Sequence, residues 1–543
     1  MENIGQYKPT NWVASLIALA IRAPHRVFAG LVGLHLIVWT LLPILVCRNL
    51  QLDLAEGLAL GREWQLGYWK HPPLPWWIDE LAYRFTGQVE SVYALGPLAA
   101  ILCLYGVWLL AREVACEITA LIAVVALEAI HFYNFSAVKF AHDQIQLTFW
   151  AFTGLFFYRA VTRGRRANWL LSGLFLAGAF WSKYAAFVLA STLGLFLLFD
   201  PVARNTWRTA GPYLMVMVFA VVLSPNLWWL VSHDFLPFTY VDQRAAKAAH
   251  WYQHLTFPIL WTIDNLLTLA PAIALLAIVI GHNLQLRANR AGELSTFNRR
   301  YVTVLALGPF LITTVIAASL GRQPIAMWGY PLWSFAPLAV LIWLSPAPDF
   351  ARLHVFAIAS VALLFAFPVG YAVTELLESF VHDRPKATEF PGRLLAVAIT
   401  EKWHEATGMP LAYVGGAEFG PSGAGEFTPN LTAVYSPDHP RVIVHGDPRL
   451  SPWIDMADVK QRGAVLMWDW GFSAELPESV KSTFPQAELQ PAIGLPRQTL
   501  YPRGWNFVSY AFVRPRPAGE VFAEDPRPEP GTRNPLTSAN ATA

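Results

Sequence analysis

The sequence predicts a polytopic α-helical membrane protein with a small α/β domain at its C-terminal end, and three observations lead there. Of the 543 residues, 55% are hydrophobic and only 14% charged, a balance outside that of soluble globular chains. Apolar runs of helical, membrane-spanning length recur from residue 27 to residue 376. Beyond residue 376 hydropathy falls, and helix-like and strand-like segments alternate as in an α/β unit. The net charge of +2 offers no broad basic surface, so nucleic acid is not an expected partner, whereas membrane lipids are.

Residues 1–26 read as a cytoplasmic segment, with Lys8, Arg22 and Arg26 ahead of the first run. That run ends in Cys47-Arg48-Asn49 rather than a small-residue cleavage site, so it reads as a retained anchor. A bilayer core of about 30 Å needs roughly 20 apolar helical residues, fewer where protein shields the helix. Runs of this kind centre on residues 27–46, 92–111, 115–131, 144–160, 168–182, 185–200, 210–231, 256–281, 301–320, 324–345 and 353–376, about eleven spans in a transmembrane domain over 27–376. The short pairs are the weakest, above all where Trp181-Ser182-Lys183-Tyr184 interrupts an apolar stretch.

With the N-terminus in the cytoplasm, the inner loops collect Arg112, then Arg159, Arg163, Arg165 and Arg166, then Arg204 and Arg208, then Arg287, Arg290, Arg299 and Arg300. This is the positive-inside pattern. An odd span count puts the C-terminal domain, 377–514, on the outer face. There residues 390–407 look helical, 411–414, 442–444 and 464–468 look like strands, and Gly415-Gly416 looks like a turn. A Pro-rich tail over 515–543 has the composition of a disordered segment. Cys47, Cys103 and Cys116 lack metal-ligand spacing and read as small apolar thiols. No repeat of 20 to 50 residues is present.

Long outer segments occur at 47–91, 131–143 and 232–255, so polar function gathers on the outer side. In the first, Asp53 and Glu56 stand three apart, on one side of a helix. One reading is a capping pair, with Asp53 at the N-cap, Glu56 reaching back, and Leu54, Leu58 and Leu66 lying on the membrane surface. The other is a general base for an acceptor hydroxyl or amine; the two are compatible. Further along, Tyr68 and Trp69 precede Lys70 and His71, which Pro72, Pro73 and Pro75 hold on a stiff turn ahead of a helix. Preorganised cations suit phosphate; an interfacial Trp/Lys anchor is the alternative.

Beyond the next spans, His142-Asp143 offers donors for a candidate divalent metal ion together with a first-loop carboxylate, or a plain His-Asp pair or cap. No metal or other cofactor is required by the sequence. Lys183, Arg244, Lys247 and Arg322 lie at outer span ends. Each alone reads as a headgroup-snorkelling cation, but four together on that face suit a lipid-linked phosphate.

The chain resembles, over about residues 25–345, the lipid-phosphosugar-dependent glycosyltransferases of the protein O-mannosyltransferase and lipid A aminoarabinose transferase superfamily. The resemblance rests on Asp53-x-x-Glu56, Leu66-Gly67-Tyr68-Trp69-Lys70-His71-Pro72-Pro73-Leu74, His142-Asp143, Ser182-Lys183-Tyr184, Ser224-Pro225-Asn226 with Trp228-Trp229, and His233-Asp234. It implies a C-type glycosyltransferase fold in the bacterial inner membrane with the site on the periplasmic face. It further implies Asp53, with Glu56, as catalytic carboxylates, Lys70, Lys183, Arg244 and Arg322 on the donor phosphate, and His71, Tyr68, Trp69 and Tyr184 as substrate and loop residues. His71 and Asp143 are implied as site or metal residues, alongside His142 as the metal candidate read above. The implied partners are a polyprenyl-phosphate-sugar donor and an envelope acceptor: lipid A, another lipid, polysaccharide or protein. Lys70 stands where many relatives carry an acidic residue, which weakens the metal reading. The rivals are a transporter or lipid flippase, which would place polar groups at mid-membrane in paired repeats, and a noncatalytic membrane scaffold.

Overall fold

The computed structural model describes residues 11–281, 293–346, 348–381, 386–417, 426–468, 475–499 and 504–516. The Pro-rich tail lies outside them from residue 517. All eleven apolar runs are helical. Among the described residues, six helices are individually long and apolar enough to cross a bilayer: Pro24–Val46, Val89–Val114, Gly211–Ser232, Gln253–Ile280, Thr296–Leu320 and Phe350–Ser379. A seventh span is available if Ala326–Trp333 and Ala336–Leu344, bent by 49°, count as one. The remaining runs fall short for local reasons. Glu117–Glu128 has only 12 residues, and His142–Arg163 opens on polar residues. Around the polar tetrapeptide, the Arg166–Ser182 helix stops, Lys183 is extended with φ −162°, and a short 3-10 turn leads into Phe187–Phe199. An additional apolar helix, Trp12–Arg22, precedes the first expected run.

The first long loop is not a surface strap. It forms two helices, Leu52–Gly61 and Leu74–Thr86, packed against each other at glycines. A Cβ at Gly57 would meet the Asp79 carboxylate and one at Gly61 the Trp76 backbone, so only glycine permits this approach. Leu54 and Leu58 are 0% and 2% exposed, which removes the reading that they lie on the membrane surface.

What covers them is the α/β unit. Its five strands are β1 (Tyr413–Gly416), β2 (Arg441–Ile443), β3 (Ala464–Trp468), β4 (Glu488–Pro496) and β5 (Trp505–Val513), in the order β2-β1-β3-β5-β4. β1 runs parallel to β2 and β3, and β5 antiparallel to β3 and β4. The Gly415-Gly416 pair ends a strand rather than making a turn. Helices Gly392–Thr407 and Phe427–Tyr435 pack on the sheet. The core on this side runs without a break from Val414, Val465 and Tyr510 through Leu395 and Leu431 to Leu54, Leu58, Tyr68 and Trp76 of the first loop. Glu63 grips Arg441 through both carboxylate oxygens, at 3.0 and 2.6 Å, and Arg62 donates to the Ala433 carbonyl at 3.0 Å. The loop is thus sandwiched between the helical bundle and the α/β unit.

Candidate active site

Asp53 lies in the first turn of the Leu52–Gly61 helix, but Gln51 holds the N-cap and no side chain caps it. The capping reading of Asp53 and Glu56 therefore does not describe this helix end. Asp53 is half-buried and makes no hydrogen bond or ion pair among the described residues. Glu56, one turn on, is 5% exposed and ion-paired with Lys70 at 2.6 Å. Burial, relieved only in part by Lys70 and aggravated by Glu426 and Asp53, pushes the Glu56 carboxyl up to about 8. Burial alone would pull the Lys70 ammonium down, but Glu56, Glu426 and Tyr240 outweigh it and keep Lys70 charged. Asp79, on the neighbouring helix, is wholly buried without a hydrogen-bond partner among the described residues. Burial, with Asp53 nearby, pushes its carboxyl well above the ordinary range.

His71 lies against His142 with ring centroids 4.1 Å apart and the rings tilted by 39°. Burial, helped by His142, Lys183 and Lys70, holds the His71 imidazole well below its ordinary value, leaving it a neutral ring. His142 directs Nε2 at the Pro72 carbonyl, 3.2 Å away. Asp143 pairs with Lys183 at 2.7 Å, both side chains 11% exposed. The break after Ser182 is what allows this pairing, because it turns Lys183 out of the helix. Glu56 and Asp143 are each bound to a lysine, and among the described residues no three metal-ligating side chains gather. This donor set does not fit a divalent ion.

The Gly-Tyr-Trp-Lys-His turn is clamped from the far side. Asn226 donates to the Leu66 carbonyl at 2.7 Å and to the Tyr184 hydroxyl at 3.3 Å. Gly67 lies against the Trp229 indole so closely that a Cβ would collide with it. Tyr68, expected at the substrate, is fully buried and donates its hydroxyl to the Leu60 carbonyl at 2.7 Å, so it shapes the loop. Trp69 is 3% exposed and edges onto Tyr240 and His445. Tyr184 stacks on Phe238.

Arg244 ends the helix Leu236–Arg244, is exposed, and acts on Tyr240 beside Lys70. The chain after it pairs with residues 321–323: Ala248 N–H donates to the Gly321 carbonyl at 2.8 Å and Gln323 N–H to the Ala246 carbonyl at 3.1 Å. Arg322 reaches the Ala245 carbonyl at 3.1 Å. Arg244, Lys247 and Arg322 therefore share one short ribbon, although 78 residues separate the first from the last.

Sequence reasoning missed three residues here. Tyr240 packs over Trp69 and His71, and nothing in its own segment marks it. Glu426 and His445 come from the α/β unit and are ion-paired at 2.5 Å. His445 did carry a signal: it is a polar residue directly after the apolar run 442–444 and before Gly446, at the end of a parallel strand, where α/β sheets present their sites.

Residues 70–229 match the family described as dolichyl-phosphate-mannose-protein mannosyltransferase. That segment holds Lys70, His71, His142, Asp143, Lys183 and Tyr184, while Asp53, Glu56, Arg244 and Arg322 fall outside the matched stretch. A lipid A galacturonosyltransferase, RgtD of Rhizobium johnstonii (strain DSM 114642 / LMG 32736 / 3841), is 30% identical over 204 residues, 37% of this chain. The aligned stretch spans only 41% of that relative. In overall structure the chain is similar to ArnT from Cupriavidus metallidurans bound to undecaprenyl phosphate, with a TM-score of 0.58 at 12% identity, covering 90% of this chain and 97% of that one. Its apo form gives the same TM-score and identity, with 90% and 98% covered. The fold expected from the sequence, a C-type glycosyltransferase fold, is the fold this likeness shows.

Proposed function

We propose that the protein is an integral-membrane glycosyltransferase that moves one monosaccharide from a polyprenyl-phosphate donor to an envelope acceptor of the lipid A type, on the periplasmic side of the bacterial inner membrane. The observation that carries the reading is a division of labour among three carboxylates. Glu56 and Asp143 are each held by a lysine, whereas Asp53, about one turn before Glu56, has no partner among the described residues. A carboxylate without a partner that is still reached by water can accept a proton.

Asp53 takes the proton of the acceptor hydroxyl or amine as that atom bonds to the anomeric carbon. The bond between this carbon and the donor phosphate oxygen breaks, and polyprenyl phosphate leaves with the electron pair. Lys70, Lys183, Arg244 and Arg322 stabilise the departing phosphate by charge-assisted hydrogen bonds. A single displacement inverts the anomeric configuration. The likeness of part of this chain to a lipid A galacturonosyltransferase, and of the fold to a protein solved bound to undecaprenyl phosphate, supports these substrate classes.

The test is mass spectrometry of envelope glycolipids from cells carrying the wild type, a deletion, and Asp53→Asn at matched protein levels. One sugar mass lost from the same lipid in both mutants is the expected result and names sugar and acceptor together. Retention of every species by Asp53→Asn removes it as the base. An unchanged deletion removes the glycolipid acceptor.

A further inference from the structure

The α/β unit does more than roof the first loop. Four ionisable side chains form a buried row across the seam: Lys70 to Glu56 at 2.6 Å, then Glu426, then His445 at 2.5 Å from Glu426. The first two belong to the loop and the last two to the α/β unit. Burial works against a charged Glu426, but His445 and Lys70 outweigh it and hold the carboxyl below its ordinary range. The row is enclosed by Trp69 and Tyr240 on one side. Asp53 on the same helix, Asp79 behind it, Arg244 beside Tyr240, and the His71-His142 pair are the other ionisable groups around it.

A row of this kind is a poor adhesive. Withdrawing four polar groups from water offsets most of what their attraction returns, and apolar residues would hold a seam as well. The seam already has such a core, and the Glu63–Arg441 fork sits at its edge. His445 is also held at φ 51° with its ring buried, a left-handed backbone that a non-glycine residue adopts at a cost. A strained residue feeding a buried charge row next to Asp53 calls for a role other than docking.

We propose that Glu426 and His445 are positioning residues, acting through Glu56 to hold the Lys70 ammonium where it meets the donor phosphate, so that the site is incomplete without the α/β unit. This rests on the reading of Lys70 as a phosphate ligand. Glu426 supplies negative charge that keeps Lys70 protonated in a buried place, and His445 fixes the Glu426 carboxylate.

The experiment is a double-mutant cycle on the full chain in detergent, with undecaprenyl phosphate as the probe. Glu426→Gln is expected to weaken binding about tenfold, within the range of coupling inside one charge network. Glu426→Asp should restore most of it. In a Lys70→Met background Glu426→Gln should then change nothing further. Equal losses with and without Lys70, or intact binding with only a lowered melting temperature, would overturn the proposal in favour of a docking role. Acylation of Lys70 by an amine reagent, read by peptide mass spectrometry, separates this proposal from the donor reading. Faster labelling in Glu426→Gln is expected, and unchanged labelling refutes the positioning whatever the donor. Faster labelling in a protein whose wild type fails to bind undecaprenyl phosphate sinks the donor role of Lys70, and with it the phosphate half of the proposal.

Discussion

Replacing Lys183 by Met separates two things that one side chain does. The Lys183–Asp143 pair is 2.7 Å long with both side chains 11% exposed. Removing one partner of such a pair leaves a buried, uncompensated charge, a change of about 3–5 kcal/mol in stability. Asp143→Asn added to Lys183→Met deletes the orphaned charge, and stability is expected to return to within about 1 kcal/mol of wild type, because replacing a whole buried pair is often close to neutral. Donor affinity should not return with it. A charged hydrogen bond contributes about 1.5–3 kcal/mol, which at about 1.4 kcal/mol per decade is a rise of roughly 10- to 150-fold in the donor KM. Melting followed by tryptophan fluorescence in detergent and sugar transfer at graded donor concentrations read the two effects on the same preparations. If the double variant recovers both stability and donor KM, Lys183 serves only Asp143 and its place in phosphate binding is refuted.

Asp53→Asn should lower the transfer rate by about 10²- to 10⁴-fold, the usual contribution of a general base, while leaving the melting temperature unchanged because Asp53 has no partner to lose among the described residues; a rate within threefold of wild type contradicts this. Gly67→Ala pushes a methyl into the Trp229 indole and should destabilise by about 1–3 kcal/mol, the usual effect of overpacking, as measured by the detergent melt. Because Glu56 is raised from 4.5 to about 8, its contribution to stability is full below about 4.5 and is lost as pH rises through about 8, where the folded state must release a proton that the unfolded chain has already shed. Melting temperatures should therefore fall from pH 5 to pH 8.5 more steeply in wild type than in Glu56→Gln, and parallel curves would contradict that environment. Asn226→Ala frees the Leu66 carbonyl and the Tyr184 hydroxyl, so hydrogen exchange across residues 64–71 should speed up while the Leu74–Thr86 helix keeps its protection.

The helices were legible because lipid imposes a local rule: about 20 apolar residues satisfy their own backbone and cross. That rule is written residue by residue, and all eleven runs are helical. It fails where protein replaces lipid, so Glu117–Glu128 is shorter than a span and the Arg166–Ser182 helix stops at a polar break. Strands β1, β2 and β3 were similarly readable from short apolar runs, whereas β4 and β5, with their register shift between Gln490 and Ile493 and alternating exposure, were not.

Within the site, residue types and short spacings determined the chemistry on offer: Asp53 and Glu56 on one helical face, Lys70-His71 braced by prolines, and His142-Asp143 at a helix start. Spacing could not say which carboxylate stays unpaired. Lys70 and Lys183 choose Glu56 and Asp143 only when segments 14 and 40 residues away fold against them, and among the described residues Asp53 is left alone by that choice. The same holds for Glu426 and His445, more than 350 residues from Glu56 in the chain. Charges in a low-dielectric seam act through space, with magnitudes set by burial and distance rather than order in the sequence. The sequence therefore determined by itself the membrane class, the helical runs and the kinds of groups gathered on one face. Only the tertiary structure decided which of those groups pair with one another and which, among the described residues, is left without a partner.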